Sequence, residues 1–224
     1  MDLLFTPAKL GTCELKNRIV RSATNGHLSD EKGQVTPLWA DTLIELAKNE
    51  VGLVITGHFC VDKMQRADAG QPVLDETTDE SLLRRACDGV HRYGGKLFFR
   101  LSHSGIEGVE SVNGAPPKHP EDFTREELDR LVEQFAFAAK KCKESGADGV
   151  QVSGIDFNRR AGQKTPFYLD ALICEPDFAA KLKSGAQDGS KCLTCNGCYT
   201  IYRKRFVRCV QHQDEIEQFK TIPW

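Results

Sequence analysis

The stretch that decides the fold is Gly146-Ala147-Asp148-Gly149-Val150-Gln151-Val152-Ser153-Gly154, which runs on into Ile155-Asp156-Phe157. Gly146 closes a long amphipathic segment, and Val150-Gln151-Val152 reads as a strand. Ser153 stands where the C-terminal end of that strand opens into a site. Upstream, the same unit recurs: amphipathic helix, glycine, short apolar strand. Downstream the repeat stops, and the chain passes into a cysteine cluster.

Working outward from this strand, Thr124 and Glu127 form a capping box for a helix that runs through Leu128, Leu131, Phe135, Ala138 and Cys142. Before it lies a strand, Lys96 to Ser102, announced by Gly94-Gly95 and by a helical pattern over Asp79 to Tyr93. Earlier still, Thr36-Pro37 reads as an N-cap with proline at the first helical position. That helix carries an apolar stripe at Trp39, Leu43, Leu46 and Ala47. Val51 to Gly57 is an unbroken apolar run, the mark of a parallel strand covered on both faces. Glu14 to Ala23 supplies the first strand, ending in Thr24-Asn25-Gly26-His27.

Alternating strands and helices of this kind build either an open doubly wound sheet or a (β/α)8 barrel. No Gly-x-Gly-x-x-Gly follows any strand, which removes the main pointer to a dinucleotide-binding sheet. The strand ends carry small and polar residues instead: Ser22 to Thr24, Gly57-His58, Arg100 with Ser102 and His103, and Ser153. The expected fold is α/β of the (β/α)8 TIM-barrel type, with the site at the C-terminal face of the strands.

The composition is that of a globular protein, 40% apolar and 28% charged, with a formal net charge of −2 over 224 residues. Nothing in that balance favours nucleic acid, and the basic run Tyr202 to Arg205 reads as a solvated loop. No apolar run approaches a membrane span, and Met1 to Phe5 lacks the basic start of a signal peptide, so a cytoplasmic protein is expected. Of the nine cysteines, Cys13, Cys60, Cys87, Cys142 and Cys174 are scattered, as reduced thiols that pack like small hydrophobes. Cys192, Cys195, Cys198 and Cys209 are clustered as Cys-x2-Cys-x2-Cys-x10-Cys, spacing that suits a metal site in a reducing compartment. An iron–sulfur cluster, zinc and free thiols all remain open on that spacing.

Leu4-Phe5-Thr6-Pro7-Ala8-Lys9-Leu10-Gly11 followed by Leu15-Lys16-Asn17-Arg18-Ile19-Val20 resembles the opening of the old yellow enzyme family of FMN-dependent oxidoreductases. Gly52 to Gly57 is similar to that family's second strand, Phe99 to Gly105 to its third and Gly146 to Val152 to its fourth. Ile173 to Phe178, with the first three clustered cysteines, resembles the end of the family's barrel and the segment after it. The resemblance implies FMN as cofactor, NAD(P)H as reductant and an electron-poor small molecule, such as an enone, as substrate. It implies that Ser22, Ala23, Thr24 and Gly57 cradle the flavin. Its trimethylamine dehydrogenase and dienoyl-CoA reductase branches would make the four clustered cysteines ligands of a [4Fe-4S] cluster.

Three departures qualify the match. Arg100 stands where the family usually has a glutamine on the flavin pyrimidine edge; arginine donates but cannot accept. Ser153-Gly154-Ile155-Asp156 replaces the His-x-x-His or His-x-x-Asn pair that binds the substrate oxygen. His27, Ser153 and Asp156 are then the residues expected to face the substrate. Finally, the chain passes from its fifth unit to the end of its eighth, so the family's phosphate-binding loops have no counterpart, and Asp170-Ala171 offers no phosphate donor. The expected organisation is a partial FMN-binding barrel over residues 1–185, with strands 1–4 present, and a cysteine-rich segment over 186–224. One reading is an FMN oxidoreductase, whose barrel two chains could complete as a homo-oligomer. The alternative is a non-catalytic remnant with a structural metal site.

Overall fold

The computed structural model describes residues 2–154, 175–188 and 190–192. It opens on an antiparallel hairpin, β1 (Ala8–Leu10) with β2 (Cys13–Leu15), turned by Gly11 in the left-handed region. The single first strand expected over Glu14 to Ala23 is not formed. Leu15 ends the hairpin, and Asn17 reorganises the backbone beyond it. Its side-chain carbonyl accepts from Ile19 N at 3.0 Å, and its amide donates to the Glu50 carbonyl at 2.7 Å. The chain re-enters as a separate two-residue strand, β3 (Val20–Arg21).

Three helix–strand units follow. Thr36 caps α1 (Pro37–Lys48), accepting from Trp39 N, and Pro37 takes the first turn. β4 (Leu53–Cys60) comes next, then α2 (Glu80–Arg92), capped by Asp79, and β5 (Lys96–His103). After the short α3 (Glu110–Asn113), α4 (Arg125–Glu144) opens on the capping box formed by Thr124 and Glu127. β6 (Gly149–Gly154) completes the series, and α5 (Phe178–Ser184) lies beyond residues 155–174.

β3, β4, β5 and β6 form one sheet in that order, with every neighbouring pair parallel. One face is covered by helices. Val54, Phe59, Leu97, Phe99 and Leu101 pack there with Trp39, Leu43, Leu83, Val90 and Cys142. Trp39, Phe59 and Phe99 form an aromatic cluster with centroids 5.5–6.1 Å apart. Because strand side chains alternate, Phe98, Arg100 and Ser102 point to the other face. Across the ladder, Gln151 pairs with Arg100 and shares that face. This face, uncovered among the described residues, is the interior side of a barrel. A bulge separates the Ile55–Phe98 and His58–Arg100 pairs of β4 and β5. Bulges of this kind re-aim side chains near functional sites. Here the Thr56 hydroxyl accepts from Arg100 N at 3.1 Å, so the bulge fixes both strands.

Candidate functional site

The C-terminal ends of the four parallel strands gather the polar residues. Past β3, the Ser22 hydroxyl oxygen is buried and has no hydrogen-bond partner among the described residues. The Thr24 hydroxyl donates to the Ser22 carbonyl at 3.3 Å and takes a hydrogen bond from the Arg21 guanidinium. Gly57 on β4 lies directly against this segment: a Cβ there would stand 2.7 Å from the Thr24 carbonyl oxygen and 2.9 Å from Asn25 Cα. The close approach that Gly57 permits in this chain is therefore by the backbone of the first-strand loop.

His27 is not an exposed loop residue. Its side chain is 7% exposed, its Nδ1 lies 2.9 Å from Asp68 Oδ1, and Asn25 Nδ2 donates to Asp68 Oδ2 at 2.9 Å. Its backbone has φ +52°. Gly70 packs so closely that a Cβ would fall 2.7 Å from His27 Nδ1. The loop after β4 thus brings an acid and a glycine onto the loop after β3.

The same loop delivers Gln71, which is fully buried. Its Oε1 accepts from Ala67 N at 2.6 Å and from Ser104 Oγ at 3.5 Å. Its Nε2 contacts His58 Nδ1 at 3.1 Å, the His58 carbonyl at 3.2 Å and Ser102 Oγ at 3.4 Å. Burial drives the His58 imidazole down to a pKa of about 4. Asp68 opposes that shift, and Arg100 and His27 reinforce it. Arg100, half-buried on the interior face opposite His58, is also pushed below its ordinary value by burial. His103, at the end of β5, is pushed down by burial as well, and it stacks edge-on against Phe123 at 5.7 Å.

Of the residues expected from sequence, Ser22, Ala23, Thr24, His27, Gly57 and Arg100 come to this end of the sheet. Ser153 pairs with Ser102 in the β5–β6 ladder. Asp156, Cys195, Cys198 and Cys209 lie outside the described residues. Cys192 is described, and among the described residues no group of three or more histidines, cysteines and carboxylates could hold a metal ion. His58, Asp68 and Gln71 were not singled out as site residues by sequence. His58 was legible only as part of a polar strand end, and Arg66 to Pro72 reads as an ordinary polar loop.

A helix-covered parallel sheet with a polar cluster at its strand ends defines a (β/α)8-type α/β protein with a C-terminal-face site. The chain matches the NADH:flavin oxidoreductase / NADH oxidase family over residues 3–156, and it belongs to that family. Among curated relatives, it is 34% identical to a metal reductase of Desulforamulus reducens, across 68% of this chain and 24% of that protein. It is 30% identical to an NADPH dehydrogenase of Bacillus licheniformis, across 67% of this chain and 48% of that protein. The chain therefore spans between a quarter and a half of these relatives' length. Among solved structures, a 2-naphthoyl-CoA reductase in complex with 2-naphthoyl-CoA aligns with TM-score 0.62 and 23% identity, over 67% of this chain and 27% of that one. An old yellow enzyme homologue from Zymomonas mobilis aligns with TM-score 0.60 and 22% identity, over 66% of this chain and 47% of that one. These structures share the fold: the present sheet is part of a (β/α)8 barrel, incomplete among the described residues.

Proposed function

We propose that this chain binds the ring of FMN at the C-terminal ends of β3, β4 and β5, and that it works as an NAD(P)H-dependent flavin oxidoreductase on an electron-poor small molecule of the enone or enoyl class. The observation that carries the reading is the buried Ser22 hydroxyl with no partner among the described residues, two strands away from the half-buried Arg100. A buried hydroxyl without a partner is unfavourable unless a ligand completes it. A guanidinium on an interior face suits an electron-rich ring edge.

FMN, when bound, supplies the hydride relay between nicotinamide and substrate. The chain's own residues hold and polarise. Ser22 and the Thr24 segment offer a hydroxyl and backbone amides, and Arg100 donates to ring oxygens and favours negative charge beside them. His27, held by Asp68, is the proposed substrate-facing donor, with Ser153 and Asp156 as further contributors. These residues are proposed to serve the ring half of the cofactor. The proposal extends to a second copy completing the barrel, and to Cys192, Cys195, Cys198 and Cys209 as ligands of a [4Fe-4S] cluster. A brown colour lost on Cys195→Ser supports the cluster; a colourless preparation containing zinc rules it out.

The test is titration of FMN with purified protein, followed by flavin fluorescence and by bleaching of the bound flavin with NADH or NADPH under anaerobic conditions. Saturable quenching and bleaching support the reading. Protein that leaves FMN fluorescence unchanged identifies the chain as a non-catalytic remnant.

A further inference from the structure

We propose that Gln71 holds His58 in its Nε2–H tautomer, and that this N–H donates to a carbonyl oxygen of the flavin ring, making His58 a cofactor-binding residue and Gln71 its positioning residue. The inference rests on the flavin reading above and adds residues to it.

The orientation of the Gln71 amide is not arbitrary. Ala67 N–H donates to one end of the amide at 2.6 Å, so that end is the carbonyl oxygen. The other end must then be the NH2 group, which has His58 Nδ1 3.1 Å away. A donor facing Nδ1 makes Nδ1 an acceptor, and a neutral imidazole whose Nδ1 accepts carries its proton on Nε2. Gln71 is fully buried, and its NH2 also reaches the His58 carbonyl and Ser102 Oγ, so it has no alternative packing to turn toward. The charged groups around His58 are Asp68, Arg100 and His27, and the net result keeps the imidazole neutral in the ordinary pH range.

His58 Nε2 makes no hydrogen bond among the described residues, whereas Nδ1 is committed. The residue follows Gly57 directly and faces Arg100 across the β4–β5 ladder. It therefore lies among the groups assigned to the ring. A neutral N–H donor and a guanidinium on adjacent strands are complementary to a carbonyl-bearing ring edge rather than to a phosphate, which a neutral imidazole would bind weakly.

Nitrogen-15 NMR of the imidazoles in the full chain at pH 6.5, with and without saturating FMN, is the experiment. His58 is expected as the neutral Nε2–H tautomer, with its Nε2 resonance shifting on FMN addition. His58→Phe is expected to raise the Kd for FMN about tenfold, the loss of one hydrogen bond. Gln71→Met is expected to weaken FMN binding and to let the imidazole populate the other tautomer, a change that loss of packing alone would not produce. If Gln71→Met does not fold, the wild-type tautomer and its response to FMN still decide. Should FMN saturate the protein with the His58 resonances unmoved, or should His58 prove to be the Nδ1–H tautomer, the inference fails and the flavin reading stands. Wild-type protein that binds no FMN overturns both.

Discussion

His58 sits where protonation is opposed by burial, by Arg100 and by His27, and the fold keeps its imidazole neutral to a pKa of about 4, against about 6.5 in an unfolded chain. The sign of the linkage follows. Above pH 6.5 neither state binds the proton. As pH falls from 6.5 toward 4, the unfolded chain binds it and the folded chain does not, so stability drops across that window and levels off below it. The full shift corresponds to about 3 kcal/mol as an upper figure. Urea melts between pH 7 and 4 are expected to show this loss, with the slope reduced in His58→Asn. Gly57 makes a second prediction at this scale. A methyl there would press on the Thr24 carbonyl, so Gly57→Ala is expected to destabilise by about 1–3 kcal/mol in denaturant melts. Sequence reading singled out Gly57 and Arg100 because period and glycine position are local signals, but it set them at strand ends, whereas β4 and β5 each run three residues further. It missed Asp68 and Gln71 as site residues because their importance comes from a loop folding back over β3 and β4, in contacts 43 positions apart for Asp68 with Asn25 and 13 for Gln71 with His58.

α1, α2, α4 and three of the four parallel strands were legible as elements, with the caps of α1 and α4 at Thr36 and Thr124, because capping is written in adjacent residues. The first strand was not. Its break comes from Asn17 bonding to Glu50, 33 residues away, which no local pattern records. The β5–β6 junction shows how an element is anchored. Asp148, just before β6, meets Lys96 at 2.8 Å, accepts from Leu97 N at 2.9 Å and meets His91 at 2.7 Å. Burial pushes its carboxyl up, but Lys96, the Leu97 amide and His91 together hold it below the ordinary carboxylate range. The stabilisation is present above the unfolded carboxylate pKa and is lost as pH falls through the folded one. Asp148→Ala leaves the Leu97 N–H and the Lys96 ammonium without this acceptor, and is expected to cost about 2 kcal/mol, read as a lower urea midpoint. Hydrogen exchange at Leu97 N–H is expected to accelerate in the same variant.

At the scale of the whole molecule, the four-stranded sheet has β3 and β6 at its edges among the described residues. On β6, Val150 is 38% and Val152 66% exposed, although their ladder partners on β5, Phe99 and Leu101, are fully buried. An edge of this kind with apolar side chains favours association. A two-fold axis along the barrel axis would set β6 of each copy beside β3 of the other with every strand parallel. Light scattering is therefore expected to give a mass of about 50 kDa, twice the 25.0 kDa of one chain, and Val152→Lys to shift the distribution toward single chains. The family assignment stands on residues 3–156, while cofactor and activity depend on what those residues can hold. Equilibrium titration of FMN with the purified chain measures that directly. Saturable quenching of flavin fluorescence, weakened by His58→Phe, is the predicted result; fluorescence unchanged at the highest protein concentration contradicts the account.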